Sequence, residues 1–218
     1  ASPNGGQAFA QLNLDSTVLL LHPAGHLVSV NNENHKLETF RLIGPMPDAQ
    51  APTSLVARTC SGLGSRPGLM TSPTAAAITP EGVILVLEDS NVNNRIQAFD
   101  LGGNPIPYFK QQKTPYFLQL DATAGAVYLD LAVEFTGYLY VLSQNASSAS
   151  FQLDIYHPNQ TGTSPISTTT GINAGRLTVD FWRSLYTLNY EVLQLPGGQF
   201  PPITEPSVSL WVPTAPTS

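Results

Sequence analysis

The sequence predicts an all-β protein: a β-propeller of about four blades, each with four antiparallel strands. Three observations lead there. A turn-and-strand pattern recurs four times, as HPAGHLVSV from His22, TPEGVILVL from Thr79, EFTGYLYVL from Glu134 and a degenerate DFWRSLYTL from Asp180. Gly25, Gly82, Gly137 and Arg183 hold the same turn position, at a spacing close to that of propeller blades. The chain also carries 19 prolines and 17 glycines among its 218 residues, with turn signals between runs of β-branched and aromatic residues. That composition gives many turns and few long helices.

Each repeat begins with a short apolar strand ahead of the turn: VLLL, AAAI, LAV and LTV in order. A second strand rich in Leu, Val and Tyr follows the turn. A polar loop leads to a third strand that ends on an aromatic: KLETF from Lys36, RIQAF from Arg95, QLDIY from Gln152 and SVSLW from Ser207. Phe40, Phe99, Tyr156 and Trp211 are therefore expected between blades. The whole of 1–218 reads as one propeller domain, with repeats at roughly 14–60, 73–118, 126–168 and 174–213. Only VPTAPTS follows the third strand of the last repeat, which leaves no room for its outer strand. The N-terminal stretch GQAFAQLNL alternates apolar and polar residues and is placed to supply that strand and close the ring.

The second repeat, AAAITPEGVILVLEDSNVNNRIQAFDLGGNPI, resembles an NHL repeat. Pro80, Gly82, Asp89, Asn93, Asn94, Arg95, Ile96, Gln97, Phe99 and Asp100 match that family's pattern. The first and third repeats resemble it in part, and the fourth faintly. The resemblance implies a propeller, in a family whose rings usually have six blades where this chain shows four repeats. It also implies that an enzyme of this type, a lyase, would hold zinc or a related metal on histidines inside the ring. His22, His26, His35 and His157 stand instead at turns and loops, which weighs against that activity. The last two repeats also look like repeats of long bacterial proteins, which suggests a module of a larger protein or particle.

Composition narrows the function further. Charged residues make up 11% of the chain and the net charge is −6, against about 25% charged residues in ordinary domains. No basic run offers a footprint for phosphate, so nucleic acid is excluded as an expected partner. Apolar runs such as Val18 to Leu21 are too short to enter a membrane as a span. Cys60 stands alone, so no intrachain disulfide and no Cys-rich zinc site is expected. No phosphate loop, dinucleotide fingerprint or nucleophile elbow is present, and no cofactor is expected. Low charge and glycosylation sequons at Asn145 and Asn159 point to an extracellular or particle-surface setting.

Candidate site residues follow from the blade geometry. With strands a to d running outward from the axis, the Pro-x-Gly turn joins a to b at one face. The b–c loops and d–a connections share the other, the top face, where loop elaboration on a rigid scaffold favours binding. The d–a connection into the second repeat is expected across 42–73. The fourth b–c loop, 189–206, is the longest, and Tyr190 runs into it as a recognition aromatic. In EDSNVNNRIQAFD (88–100), Asp89, Asn91 and Asn93 alternate almost like a calcium loop, with Asn94 at its glycine position and Asp100 at its terminal glutamate position. The glycine and terminal glutamate of such a loop are missing, however, and 95–100 aligns with a strand. Turn hydrogen bonding is the expected role of these residues, with Arg95 as a tie to the neighbouring loop. Asp130 and Arg176 stand seven residues ahead of their turns and are expected to open their inner strands at the channel mouth. There they form either a rim ion pair or polar anchors for a ligand. His22 and His26 flank a turn and are expected to serve it. No catalytic residue and no metal ligand emerges. The expected function is non-catalytic binding or scaffolding, toward a protein or glycan, through the top loops. The alternative is a propeller lyase or hydrolase with its site at the mouth of the central channel.

Overall fold

The computed structural model describes residues 18–41, 57–60, 62–90, 94–120, 125–145, 147–148, 150–172, 174–180, 182–193 and 203–211. Among these there is no helix; the chain is all-β. Four antiparallel sheets follow one another along the sequence. The first contains β1 (Val18–His22), β2 (His26–Asn31), β3 (Lys36–Arg41) and β4 (Ala57–Cys60). The second contains β5 (Pro73–Ile78), β6 (Ile84–Glu88), β7 (Arg95–Phe99) and β8 (Phe117–Gln119). The third contains β9 (Ala126–Val133), β10 (Leu139–Asn145), β11 (Phe151–Tyr156) and β12 (Ser167–Thr170). The fourth has three strands, β13 (Arg176–Val179), β14 (Leu185–Leu193) and β15 (Ile203–Trp211). Each sheet is a meander in chain order, and the first strand of each packs on the first strand of the next. This is a propeller-like succession of blades.

The turn column explains why the blades share one shape. Gly25, Gly82 and Gly137 adopt φ of 74°, 87° and 92°, and Arg183 adopts 67°. In every case the amide of this residue donates to the carbonyl three residues back: His22, Thr79, Glu134 and Asp180. Left-handed backbone is nearly free for glycine and costs an L-residue roughly 1–2 kcal/mol. Arg183 bears that strain and offsets it with an ion pair, its Nε lying 2.9 Å from Glu134 Oε2 in the third blade.

Side-chain alternation along the inner strands makes the core. Successive residues face opposite sides of a strand. Ala75 and Ala77 therefore join the third blade's Tyr128, Leu131 and Val141. Ala76, between them, joins the first blade's Val28, Val30 and Leu37. Ala132, Tyr140 and Leu142 continue the stack to Leu177 and Leu185. β6 and β7 are buried along their whole length because neighbours cover both faces. Phe99 and Tyr156 lie in these interfaces, and Phe40 is buried as well, as the repeat predicts. The side chain of Trp211 lies outside the described residues.

The two outer faces of the stack differ from the inner ones. Leu19 and Leu21 on β1 and Val208 and Leu210 on β15 are at least half exposed. Among the described residues no packing like that of β5 on β9 joins β13 to β1, and no closed ring is seen. The stretch expected to close the fourth blade, GQAFAQLNL, lies outside the described residues.

Three expectations are corrected. The stretch 42–73 is not a single connection. β4 at Ala57–Cys60 pairs with β3 and is the outer strand of the first blade, so the d–a connection is 61–72. A short outer strand pairs on one edge only and carries little apolar periodicity, which hid it. Half of the fourth b–c loop is strand: β14 and β15 stay paired from Leu185↔Trp211 to Leu193↔Ile203. Asp130 does not open its strand, for β9 starts at Ala126, while Arg176 does open β13.

Side chains of β6 and β7 fix the connection into the second blade. Arg95 is almost wholly buried, and its Nε lies 2.9 Å from Glu88 Oε1. Its Nη1 donates to Ser65 O at 2.6 Å and its Nη2 to Leu69 O at 2.8 Å. Gln97 donates to Leu69 O and Glu88 Oε1 and accepts from the Gly68 amide at 2.7 Å. The Thr71 amide donates to Glu88 Oε2 at 2.7 Å. The segment 65–71 is thus held by side chains of β6 and β7.

Glu88→Ala leaves a buried guanidinium unpaired and should lower stability by about 3–5 kcal/mol, read by urea denaturation. Gly25→Ala should cost about 1 kcal/mol from its positive φ alone, since nothing lies within 4 Å of its Cβ. Gly82→Ala should cost clearly more in the same assay, because its Cβ would stand 2.8 Å from the His22 ring.

Candidate functional site

The four inner strands surround a cleft of about 510 Å³. Val18, Leu19, Leu20, Ala76 and Ala77 form an apolar wall, and Leu131, Ala132, Leu177 and Val179 face them. Thr178 adds a hydroxyl. Asp130 and Arg176 are the charged residues of this lining.

A backbone irregularity builds that polar corner. The β9–β10 pairing runs Leu142↔Asp130 and then Ser143↔Tyr128, so Leu129 is bulged out of the ladder. β5 slips at the equivalent place, between Pro73 and Ala75. The bulged Leu129 carbonyl accepts from Arg176 Nη1 at 3.3 Å. Asp130 Oδ2 accepts the Leu177 amide at 2.8 Å, and Oδ1 accepts the Leu131 amide at 3.0 Å. Arg176 Nη1 stands 3.9 Å from Asp130 Oδ1. The aspartate is therefore an inter-blade tie. It is largely buried, whereas half of the arginine side chain is exposed. The sequence expectation that adjacent blades bring Asp130 and Arg176 together holds in this geometry.

Burial pushes the Asp130 carboxyl above its ordinary range, against the pull of the Leu177 and Leu131 amides and of Arg176. Burial does the same to Asp89, against a hydrogen bond from the backbone of Tyr128. Asp89 thus also bridges two blades, from the second to the third. Its amide donates to Ser72 O at 3.0 Å.

Asn94 serves the turn, its Oδ1 accepting the Ser90 amide at 3.1 Å and its carbonyl accepting the Leu120 amide at 2.8 Å. Asn91 lies outside the described residues. Tyr190 lies in β14 opposite Pro206, with its side chain outside the described set. These positions are not gathered into one site. Asp89 and Asn94 serve the second blade, while Asp130 and Arg176 share the cleft.

His22 also has a local role. Its Nδ1 accepts the Ala24 amide at 3.0 Å, so Nε2 carries the proton and donates to Gly82 O at 2.8 Å. Both nitrogens are engaged in turn geometry, linking the first blade to the second. No group of three or more His, Cys, Asp or Glu able to hold a metal occurs among the described residues. The sequence pattern pointed to Arg95 as a loop tie but gave no sign of Glu88 and Gln97 as its companions. Their alternation with Arg95 across a strand pair was the available signal.

The raised Asp130 carboxyl has a pH consequence. The folded protein holds this proton more tightly than the unfolded chain. Its contribution is therefore fully present below the ordinary value of 3.8 and is lost as pH rises through the folded value. The melting temperature of the protein, relative to that of Asp130→Asn, should fall as pH is raised upward from about 3.8. A parallel pair of curves would contradict this assignment.

No family model matches the chain, and no curated protein matches it. Among solved structures, the chain is similar to a catalytically inactive virginiamycin B lyase from Staphylococcus aureus with quinupristin. The identity is 12% and the TM-score 0.46, over 90% of this chain and 55% of that one. It is also similar to the PQQ-bound aldose sugar dehydrogenase from Streptomyces coelicolor. Here the identity is 11% and the TM-score 0.43, over 88% of this chain and 61% of that one. Both neighbours are β-propellers, and the chain spans little more than half the length of each.

Proposed function

We propose that the protein is a non-catalytic binding propeller, with NHL-type repeats as its blades. It recognises a protein or glycan at the top of its channel, as a module of a larger bacterial protein or particle in an extracellular or particle-surface setting. Four blades, the last completed by the N-terminal stretch, fit the repeat count and the three strands that the fourth sheet has among the described residues.

The observation that carries the reading is Arg176. Its guanidinium is anchored at one nitrogen by Leu129 O and Asp130, and half of the side chain is exposed over the cleft. A cleft volume of about 510 Å³ falls within the roughly 300–1,000 Å³ of ligand sites. An apolar lining with a few convergent polar groups is what such sites use for orientation. A planar guanidinium suits a carboxylate or a row of hydroxyls.

A glycan array and a protein pull-down separate the two ligand classes. Arg176→Ala should weaken the captured ligand at least tenfold, about 1.4 kcal/mol, with little change in melting temperature. Undiminished binding by that variant would move the site away from the channel. Metal-dependent turnover by the purified protein would favour the enzyme reading instead.

A further inference from the structure

The third blade holds an enclosed polar cavity where the second blade holds a filled one. The equivalence follows from strand register. Glu88 pairs with Arg95 and Val86 with Gln97 in the second blade. Ser143 pairs with Gln152 and Val141 with Asp154 in the third. Gln152 thus stands in the place of Arg95, and Asp154 in the place of Gln97.

In the second blade the space beside this cluster is occupied. The buried guanidinium of Arg95 fills it, together with the backbone of segment 65–71. The connection that supplies this segment, residues 61–72, joins β4 to β5. In the third blade the corresponding connection, 120–125, joins β8 to β9 and is much shorter. A cavity of about 70 Å³ lies at the top of that blade. Ser143, Asn145, Gln152, Asp154 and Thr170 line it with oxygen-bearing side chains, over Tyr128.

The charge balance differs as well. Asp154 is almost wholly buried. It accepts from Gln152 Nε2 at 2.9 Å on both oxygens and from Thr168 Oγ1 at 2.6 Å. Among the described residues no cation pairs with it. A buried carboxylate without a counter-charge is costly. In the second blade the buried carboxylate is Glu88, in the place of Ser143, and the planar guanidinium of Arg95 relieves its cost. Gln152, in the place of Arg95, carries no charge.

We propose that this cavity binds a guanidinium, carried by an arginine side chain of a partner. Asp154 would be the anionic anchor, and the hydroxyl of Ser143 a further acceptor. The exposed Ser150 and Thr170 mark the entrance. The proposal rests on the binding reading only in placing the guanidinium on a partner, and it uses neither Arg176 nor the channel.

Calorimetric titration of the full chain with the peptide Gly-Arg-Gly, methylguanidinium and Gly-Lys-Gly tests it. Saturable millimolar binding of the first two is expected, with Gly-Lys-Gly at least tenfold weaker. Tighter binding of the peptide than of methylguanidinium would assign the site to an arginine side chain. Equal binding would assign it to a free guanidinium and overturn the partner clause. Asp154→Asn should weaken binding at least tenfold. Gln152→Arg is the second variant. It supplies an internal guanidinium in the manner of Arg95, so it should abolish binding and raise the melting temperature. Absence of binding by the wild type, or unchanged binding by a folded Gln152→Arg protein, would overturn the proposal. Neither outcome bears on Arg176, whose role is read from the array and pull-down.

Discussion

A guanidinium shut away from water holds the middle of this structure together. Arg95 lies between Glu88, the Phe117 ring 4.8 Å from its centre, and two backbone carbonyls that enter from the previous connection. Burial raises the Glu88 carboxyl, while Arg95, Gln97 and the Thr71 amide pull it back. Such a pair stabilises only when every remaining donor and acceptor is met. Here the loop backbone meets them. The order of segment 65–71 and the ionic state of the pair are therefore one condition.

The contacts between blades repeat a position more faithfully than a chemistry. At the turn end, His22 donates to Gly82 O between the first and second blades, and Glu134 meets Arg183 between the third and fourth. The second and third are joined there by Gln112 Nε2, which donates to Gln160 O at 2.8 Å. At the opposite end, Asp89 and Asp130 each accept a backbone amide of the following inner strand. Apolar alternation would let neighbouring sheets slide. Hydrogen bonds of fixed geometry at both ends set the register between them.

Much of this was legible in the residues. The turn column gave the strand order, and the alternation around it gave the faces, because both are local and periodic. The left-handed backbone at Arg183 confirms that even the degenerate repeat keeps the turn. β4 was not legible, since four residues paired on one side leave no pattern. The extension of β14 and β15 as far as Leu193↔Ile203 was read as loop because glycine and proline crowd the sequence between them. In the cleft, the residues Asp130 and Arg176 could be named from spacing alone. The bulge at Leu129 that turns a carbonyl toward the arginine could not, for a slip of one residue leaves no mark on composition. The polar pocket of the third blade appears only when two blades are compared in register.

The uncovered apolar faces of β1 and β15 bear on how the molecule opens. In a row of repeats, stability is a sum of intrinsic terms and nearest-neighbour interfaces. The second and third blades each have two such interfaces, and the first and fourth have one among the described residues. Local opening then has a direction. Amide exchange should proceed inward from both ends, with β6 and β7 the last to yield their protons to solvent.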